Sequence, residues 1–288
     1  MERAFGQFVD RIVAGGLLVV CVDDAGSARL GDYARRVIAA GRDLRVITYG
    51  ESPDADVVIT QIVEAADAVT LTVGGVGAGE RTVTVGGLVG RHMALNAAAA
   101  LTVAGELGVD LDRVATAWHA FRGVKRRFEL RGTADGVRVY DDYAHHPTEI
   151  AAALHAARAA SGAGRLVAVF QPGTFSRTQT FATEFARAMA LADIAVVMDI
   201  FPSREEPIPG VTGALVADAI PLPPENVIYE PSWTATATRV AEVVRPGDVV
   251  VTMGIGDVYL LCPDILAEIT ERAADRDAAA AAELGDPS

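Results

Sequence analysis

The stretch 139-VYDDYAHHPTEI-150 sets two carboxylates, a phenol and two adjacent imidazoles between a strand-like run and a helix-like run. Asp141 and Asp142 are residue types that accept hydrogen bonds from sugar hydroxyls or bind a metal ion. His145 and His146 are types that contact an anion or transfer protons near neutral pH. Pro147 suits the first turn of a helix, where its missing N–H costs nothing. Val137 and Val139 are expected to bury one face of the strand, leaving the residues between strand and helix to project at the rim of a sheet. A structural alternative has His146 capping the helix and Asp141 paired with an arginine. For any one residue the two readings weigh about equally; five such residues together at a strand end favour function.

The elements that must position this segment are legible in the pattern around it. From about residue 137, short apolar runs alternate with helix-like segments. VRVYDD leads to PTEIAAALHAARAA, RLVAVF to TFATEFARAMALA, IAVVMDI to an irregular FPSREEPIPG, NVIYE to TATATRVAEVV, and DVVVTM to GIGD and a last helix from about Asp264. Such alternation implies a mainly parallel sheet with helices on both faces. Ligands of such sheets gather at the carboxyl ends of the strands. Here those ends are Asp141 to His146, Gln171 to Arg177, Phe201 to Glu206 and Gly254 to Asp257.

The first part of the chain reads differently. LLVVCVDD, RVITYG and ADVVIT are strand-like, and DAVTLTV and RTVTVGGL bracket the glycine cluster GGVGAGE. That cluster lacks the G-x-G-x-x-G spacing and leads into a β-like run, so a hairpin turn is expected and a dinucleotide fingerprint is not. Residues 91–108 and 111–121 read as helices, with Gly108 as a stop and Asp110 as an N-cap. The charged, glycine-containing FRGVKRRFELRG breaks the pattern and marks a boundary, giving domains at 1–122 and 123–288. The tail from Arg276 is expected to fray.

Composition limits the function classes. The chain has 288 residues, 51% hydrophobic and 22% charged, which supports sizeable cores. No apolar run reaches the roughly 18–20 residues of a membrane span. The mixed-charge N-terminus lacks the apolar core of a signal peptide, so the expected compartment is the cytoplasm, without membrane insertion. Net charge is −13 and the basic cluster is confined to Lys125-Arg126-Arg127, which argues against a nucleic-acid partner. Cys21 and Cys262 read as buried free thiols and form no zinc site.

With these motifs in place, a resemblance emerges. GRHMALN, GVKRRFE, YDDYAHHPTEI, FPSREEPIPGVTG and GIGD, in this order, closely resemble the Mur ligases of peptidoglycan synthesis, and the likeness spans nearly the whole chain. It implies an α/β fold class: an incomplete central ATP-binding α/β domain over residues 1–122, then a Rossmann-like C-terminal domain over 123–288. Within the family the pattern is most similar to members that join L-alanine to UDP-N-acetylmuramate through an acyl phosphate, with ATP and Mg2+ as cofactors. An alternative member attaches a recycled tripeptide to the same UDP-sugar, and a non-catalytic remnant or binding module is a third reading. The family's phosphate cradle needs a lysine after a glycine-rich turn, and the one lysine here is Lys125, followed by arginines. The resemblance therefore implies the C-terminal part of a larger ligase, with the N-terminal domains of the same protein as its partners and little or no turnover alone.

Site residues follow from the same resemblance. His92 and Asn96, on the helix opening with GRH, would face the adenine, with Met93 removing one polar contact. Arg127 would meet ATP phosphate, since a guanidinium forks onto oxygens; its alternative is a salt bridge between domains. Asp142 would fix the ribose, and Tyr143 and His145 would face the sugar and amino acid. His145 is also the candidate base for the alanine ammonium. Arg177 would pair with a carboxylate or phosphate in a loop where Gly173 and Thr174 replace the usual bulkier or basic residues. Arg204 and Glu205 are candidate substrate-loop residues, with surface ion pairing as their alternative.

Overall fold

The computed structural model describes residues 2–77 and 79–284. The chain divides into two compact units, Met1–Arg122 and Gly123–Ser288.

The first unit runs α1 (Glu2–Asp10), β1 (Gly16–Cys21), α2 (Ala25–Ala39), β2 (Leu44–Gly50), β3 (Val57–Glu64), β4 (Ala68–Gly74), β5 (Arg81–Gly86), α3 (Arg91–Glu106) and α4 (Leu111–His119). Its sheet has the order β1-β2-β3-β4-β5, parallel through β3 and antiparallel beyond. The β4–β5 pair shows why the register holds. Val69, Leu71 and Val73 alternate inward with Val83 and Val85, while Thr70 pairs with Thr84 (2.8 Å) and Thr72 with Thr82 (3.0 Å) on the other face. The inward face packs against Ala94, Ala97, Ala98 and Leu101 of α3, small residues that let the helix approach closely. The glycine cluster does link two antiparallel strands; Ala78 within it lies outside the described residues.

Two helices of this unit escape the sequence pattern. In α1 and α2 short apolar stretches are broken by charge, and α2 contains two glycines. Yet Asp24 caps α2 by accepting from the Ser27 N–H at 2.7 Å. Gly31 lies over the Val20 side chain, so a glycine that weakens the isolated helix lets it sit close on β1.

The second unit runs β6 (Glu129–Ala134), β7 (Val137–Asp142), α5 (Pro147–Ser161), β8 (Leu166–Phe170), α6 (Phe175–Met189), β9 (Ile194–Val197), α7 (Ala214–Ala217), β10 (Val227–Tyr229), α8 (Trp233–Val243), β11 (Val249–Met253) and α9 (Leu261–Leu284). The order is β10-β9-β8-β11-β7-β6, parallel except for β6 against β7. Every residue of β8 and β11 is buried, as expected of central strands covered on both faces. On one face Ala237, Val240 and Ala241 of α8 and Leu261, Ile265 and Ile269 of α9 share a core with Val139, Val169 and Val250. On the other, α5 and α6 pack together and Phe170 meets Phe185 with ring centroids 5.1 Å apart.

Strand β6 is an element the sequence pattern does not reveal. ELRGTA is polar and breaks at Gly132, where the pairing with β7 slips by one residue. A Cβ at Gly132 would stand 2.7 Å from a Leu266 methyl, so glycine lets α9 lie on this edge strand. Helix α9 starts at Leu261 instead of Asp264 and continues to Leu284, so the fraying expected from Arg276 is not seen; residues 285–288 lie outside the described residues.

The two ends of this sheet differ in kind. At the amino end of the parallel strands, the buried Asp248 carboxylate accepts from Arg165 Nη2 (2.6 Å), from the Arg165 N–H (3.1 Å) and from the Arg245 N–H (2.8 Å). That network closes the end with internal partners. The carboxyl end is the opposite edge, where the loops after β7, β8, β9 and β11 emerge. There the chain passes from β7 to β8 over the place later filled by β11, creating a topological switch point of the kind where ligands bind. No helix among the described residues is long and apolar enough to cross a membrane.

Candidate functional site

The carboxyl ends of β8, β9 and β11 are joined by backbone hydrogen bonds. The Gln171 N–H donates to the Met253 carbonyl at 2.9 Å, and the Phe201 N–H to the Pro172 carbonyl at 2.8 Å. Around this frame the segment 141–146 takes two roles, one structural and one open to solvent.

Asp141 and Asp142 are structural. They do not project at the rim, as the sequence suggested, but form the last two residues of β7, both buried. Asp141 accepts from Thr252 Oγ1 at 2.8 Å and from Arg126 Nε at 3.1 Å. Asp142 accepts from the backbone N–H of Phe128 and of Ala144, each at 2.8 Å. Burial raises the pKa of both carboxyls, and Asp142 reaches about 6. The Asp142 oxygens hold the turn at 126–128 against β7, and the residue is 4% exposed.

Arg126 is also spent internally. Its Nη2 donates to the Gly254 carbonyl at 2.9 Å, and its guanidinium lies between the rings of Tyr143 (4.8 Å) and Tyr259 (4.5 Å). Arg127 is the reverse case. Its side chain is exposed, makes no hydrogen bond or ion pair among the described residues, and lies 5.9 Å from the Tyr143 ring. Within the second unit its guanidinium is available to an anion.

Tyr143 is the hub. Its ring touches Arg126 and Arg127 on one side and stands edge-to-face with His145, centroids 5.1 Å apart. His145 Nδ1 is 2.8 Å from the Tyr143 carbonyl. A carbonyl only accepts, so in the neutral ring Nδ1 carries the proton and Nε2 presents its lone pair. The Glu149 carboxylate takes the His145 backbone N–H at 3.0 Å and steadies the segment. His146 takes the structural alternative: its Nδ1 accepts from the Thr148 N–H at 3.3 Å, capping α5, and its ring packs on Phe181. Glu149 completes this capping box, a pattern readable from its place three residues after the cap.

Arg177, in the first turn of α6, directs Nη1 to the His145 carbonyl at a long 3.5 Å. The amino end of that helix is already filled. The Glu205 carboxylate accepts from Thr174 Oγ1 (2.7 Å), Ser176 Oγ (2.5 Å) and the Ser176 N–H (2.8 Å), which holds its pKa below the usual range. Glu205 thus joins the loop after β9 to the loop after β8. Gly173 is tied to its neighbour in space: a Cβ there would stand 2.4 Å from Ile255 Cγ2. Sequence reasoning placed Gln171 at a strand end without giving it a role; it is buried at 8% exposure with no hydrogen-bond partner for its side-chain oxygen.

His92 and Asn96 belong to the first unit, on the first turns of α3. His92 is half-buried; Asn96 is exposed and its Nδ2 lies 3.6 Å from Met93 Sδ. Met93 itself is buried in the core, so it is a packing residue. Cys262 is buried, with its thiol pushed up to about 11 by burial, whereas Cys21 is only half-buried. Among the described residues no group of three or more His, Cys, Asp or Glu side chains stands together to hold a metal ion.

In chemical terms, the carboxyl end of the second unit offers an exposed guanidinium, a second guanidinium with one weak bond, and an imidazole nitrogen with a free lone pair. Such a set binds oxyanions and accepts a proton from an ammonium.

Comparison with known proteins places the chain beside a group of ligases. Residues 126–256 match the family described as Mur ligase, glutamate ligase domain. The chain is 51% identical over 271 residues to the UDP-N-acetylmuramate–L-alanine ligase of Saccharopolyspora erythraea, covering 93% of this chain and 54% of that protein. It is also 51% identical to the protein of the same name in Kineococcus radiotolerans, covering 93% of this chain and 55% of the relative. The chain thus spans about half the length of the curated relatives it matches. Among solved structures, the UDP-N-acetylmuramate-alanine ligase of Thermotoga maritima aligns with a TM-score of 0.67 at 23% identity, covering 96% of this chain and 55% of that one. The MurF ligase of Thermotoga maritima, solved with ADP, aligns with a TM-score of 0.63 at 19% identity, over 90% and 54% of the respective chains. At these identities the structures speak for the fold alone.

Proposed function

We propose that this chain, whose residues 126–256 match a Mur ligase domain, serves the ATP-dependent joining of L-alanine to UDP-N-acetylmuramate. The observation that carries the reading is 51% identity, over 93% of the chain, to relatives bearing that name. In this reading the second unit is the Rossmann-like ligase domain that receives the amino acid and the muramyl carboxylate. Residues 1–122 correspond to part of the ATP-binding domain, with His92 and Asn96 toward the adenine.

Each residue's role follows from its chemistry. Arg127, exposed and unpaired, neutralises a phosphate. Arg177 takes a carboxylate or phosphate oxygen, since its one bond to the His145 carbonyl is long and easily exchanged. Tyr143 positions its neighbours, with its ring near Arg126 and Arg127 and edge-to-face with His145. His145 Nε2 takes a proton from the alanine ammonium, making the free amine that attacks the activated carboxyl; Nδ1–H stays on the Tyr143 carbonyl and stabilises the imidazolium that results. ATP, when bound, supplies the phosphoryl group that converts the muramyl carboxylate to an acyl phosphate. The donor set fits the phosphate end of a nucleotide through Arg127. It does not fit Mg2+, because no cluster of acidic or imidazole ligands is present among the described residues and Asp141 and Asp142 are spent on internal donors. The reading places the protein in the cytoplasm.

The test is phosphate release by the native gene product purified from its own cells, given ATP, UDP-N-acetylmuramate and either L-alanine or the recycled tripeptide. Turnover with L-alanine is expected. Turnover with the tripeptide alone would assign the protein to recycling, and a native product that binds these ligands without turnover would make it a binding module.

A further inference from the structure

Gln171 is the polar residue of the switch-point crevice that the proposed mechanism leaves unused. Its backbone is fixed between β11 and the loop after β9 by the bonds at Gln171 and Pro172. The residue is 8% exposed, and its Oε1 is sealed from solvent without a donor. Gly256 forms part of that seal: a Cβ there would come 3.1 Å from Gln171 Oε1 and 2.6 Å from the Phe201 ring. The Nε2 end has no hydrogen-bond partner among the described residues either, but it is not sealed, so it reaches the crevice. An orphaned buried carboxamide costs on the order of 1–3 kcal/mol, and a leucine in its place would avoid that cost. A polar group held at a cost, on a rigid frame, where three strands end, is a preorganised ligand contact.

The ligand's character follows from what else is there. The open end of the amide is a donor, so its partner is an acceptor. The amino ends of α5 and α6 at this edge are already occupied, the first by His146 and Glu149 and the second by Glu205. Beside the exposed Arg127, the donors left to an anion at this edge are Arg177, whose one bond is long, and Gln171 Nε2. We propose that Gln171 is an oxyanion-binding residue of this crevice, donating Nε2–H to a ligand carboxylate or phosphate oxygen. The inference rests on the reading of this edge as the substrate site.

The test uses the 15N-labelled chain. The Gln171 side-chain NH2 pair is identified by its loss in Q171L, and the spectrum is followed on adding L-alanine, L-alaninamide or inorganic phosphate. A shift of the Gln171 pair with L-alanine but not L-alaninamide assigns a carboxylate; a shift with phosphate assigns a phosphoryl oxygen. Q171L is expected to bind the responding probe about tenfold more weakly, the share of one hydrogen bond to a charged group. Its thermal midpoint is expected to stay equal or rise, because an orphaned polar group has been removed. If the backbone amides of residues 143–145 and 176–177 respond while the Gln171 pair does not, the inference fails and the site reading stands. If no probe moves any of these signals, both fail. A Q171L chain that binds as well as the parent also overturns the inference.

Discussion

The Nδ1 of His145 and the carbonyl of Tyr143 lie 2.8 Å apart, a contact that decides which nitrogen of the ring can act. Because the carbonyl cannot donate, the neutral ring is locked with its proton on Nδ1 and its lone pair on Nε2. Long-range 1H–15N correlation on the chain near pH 8 is expected to show His145 as this tautomer. His146, whose Nδ1 accepts from the Thr148 N–H, is expected to show the opposite one. The same tautomer in both rings would remove the assignment of His145 Nε2 as proton acceptor.

Asp142 gives a prediction with a definite sign. Burial lifts its folded pKa to about 6, above the ordinary carboxyl value, so the folded chain binds this proton more tightly than the unfolded chain. The stability it contributes is present in full below about pH 4, falls as pH rises to 6, and is flat beyond. The span is at most about 3 kcal/mol at 1.36 kcal/mol per unit. The D142N chain lacks this titration. Its stability relative to the parent, from denaturant melts at pH 4, 5, 6 and 7, is expected to improve with rising pH. A difference that does not vary with pH would contradict the burial argument.

Gly173 and Ile255 are expected to be coupled. Alanine at 173 would drive a Cβ to within 2.4 Å of the Ile255 methyl, and overpacking of this kind costs about 1–3 kcal/mol. G173A should therefore be destabilised, while G173A/I255A should recover most of the loss. The double-mutant cycle measures that coupling directly; additive effects would show that the two side chains do not compete for the same space.

At the opposite end of the sheet, Asp248 predicts stability without ligand effects. D248A strips Arg165 and the Arg245 N–H of their acceptor at a nearly inaccessible site, and the expected loss is about 2–3 kcal/mol. Because Arg165 is partly exposed and can rehydrate, the loss should fall at the lower end of values for broken buried pairs. Probe binding at the carboxyl edge should be unchanged in the folded fraction.

Much of the second unit was legible because its strands are written in uninterrupted apolar runs. LVAVF and VVVTM can only be central strands, and strand–helix alternation then sends every loop of interest to one edge. What the runs conceal is the use of polar atoms. Asp142 and His145 are equally polar in sequence, yet one is consumed by the Phe128 and Ala144 amides and the other keeps a free nitrogen. Arg126 and Arg127 are adjacent and identical in type, yet a left-handed backbone at Arg126 turns one inward to Asp141 and leaves the other outside. Strand β6 stayed hidden because an edge strand needs no apolar pattern, and α1 and α2 because charge and glycine interrupt theirs. Gln171 could not have been singled out at all, since an orphaned atom is a property of its surroundings.

The bonds from Glu205 to Thr174 and Ser176 carry a consequence for recombination. One carboxylate closes the amino end of α6 from a loop that belongs to a different strand, so segments 171–178 and 201–206 form one inherited block. Exchanging either alone with that of a relative would break three hydrogen bonds at once, leaving an unfilled helix end on one side and a stranded acid on the other. Chimeras in this family should therefore tolerate crossover points before β8 or after residue 206, and fail between them.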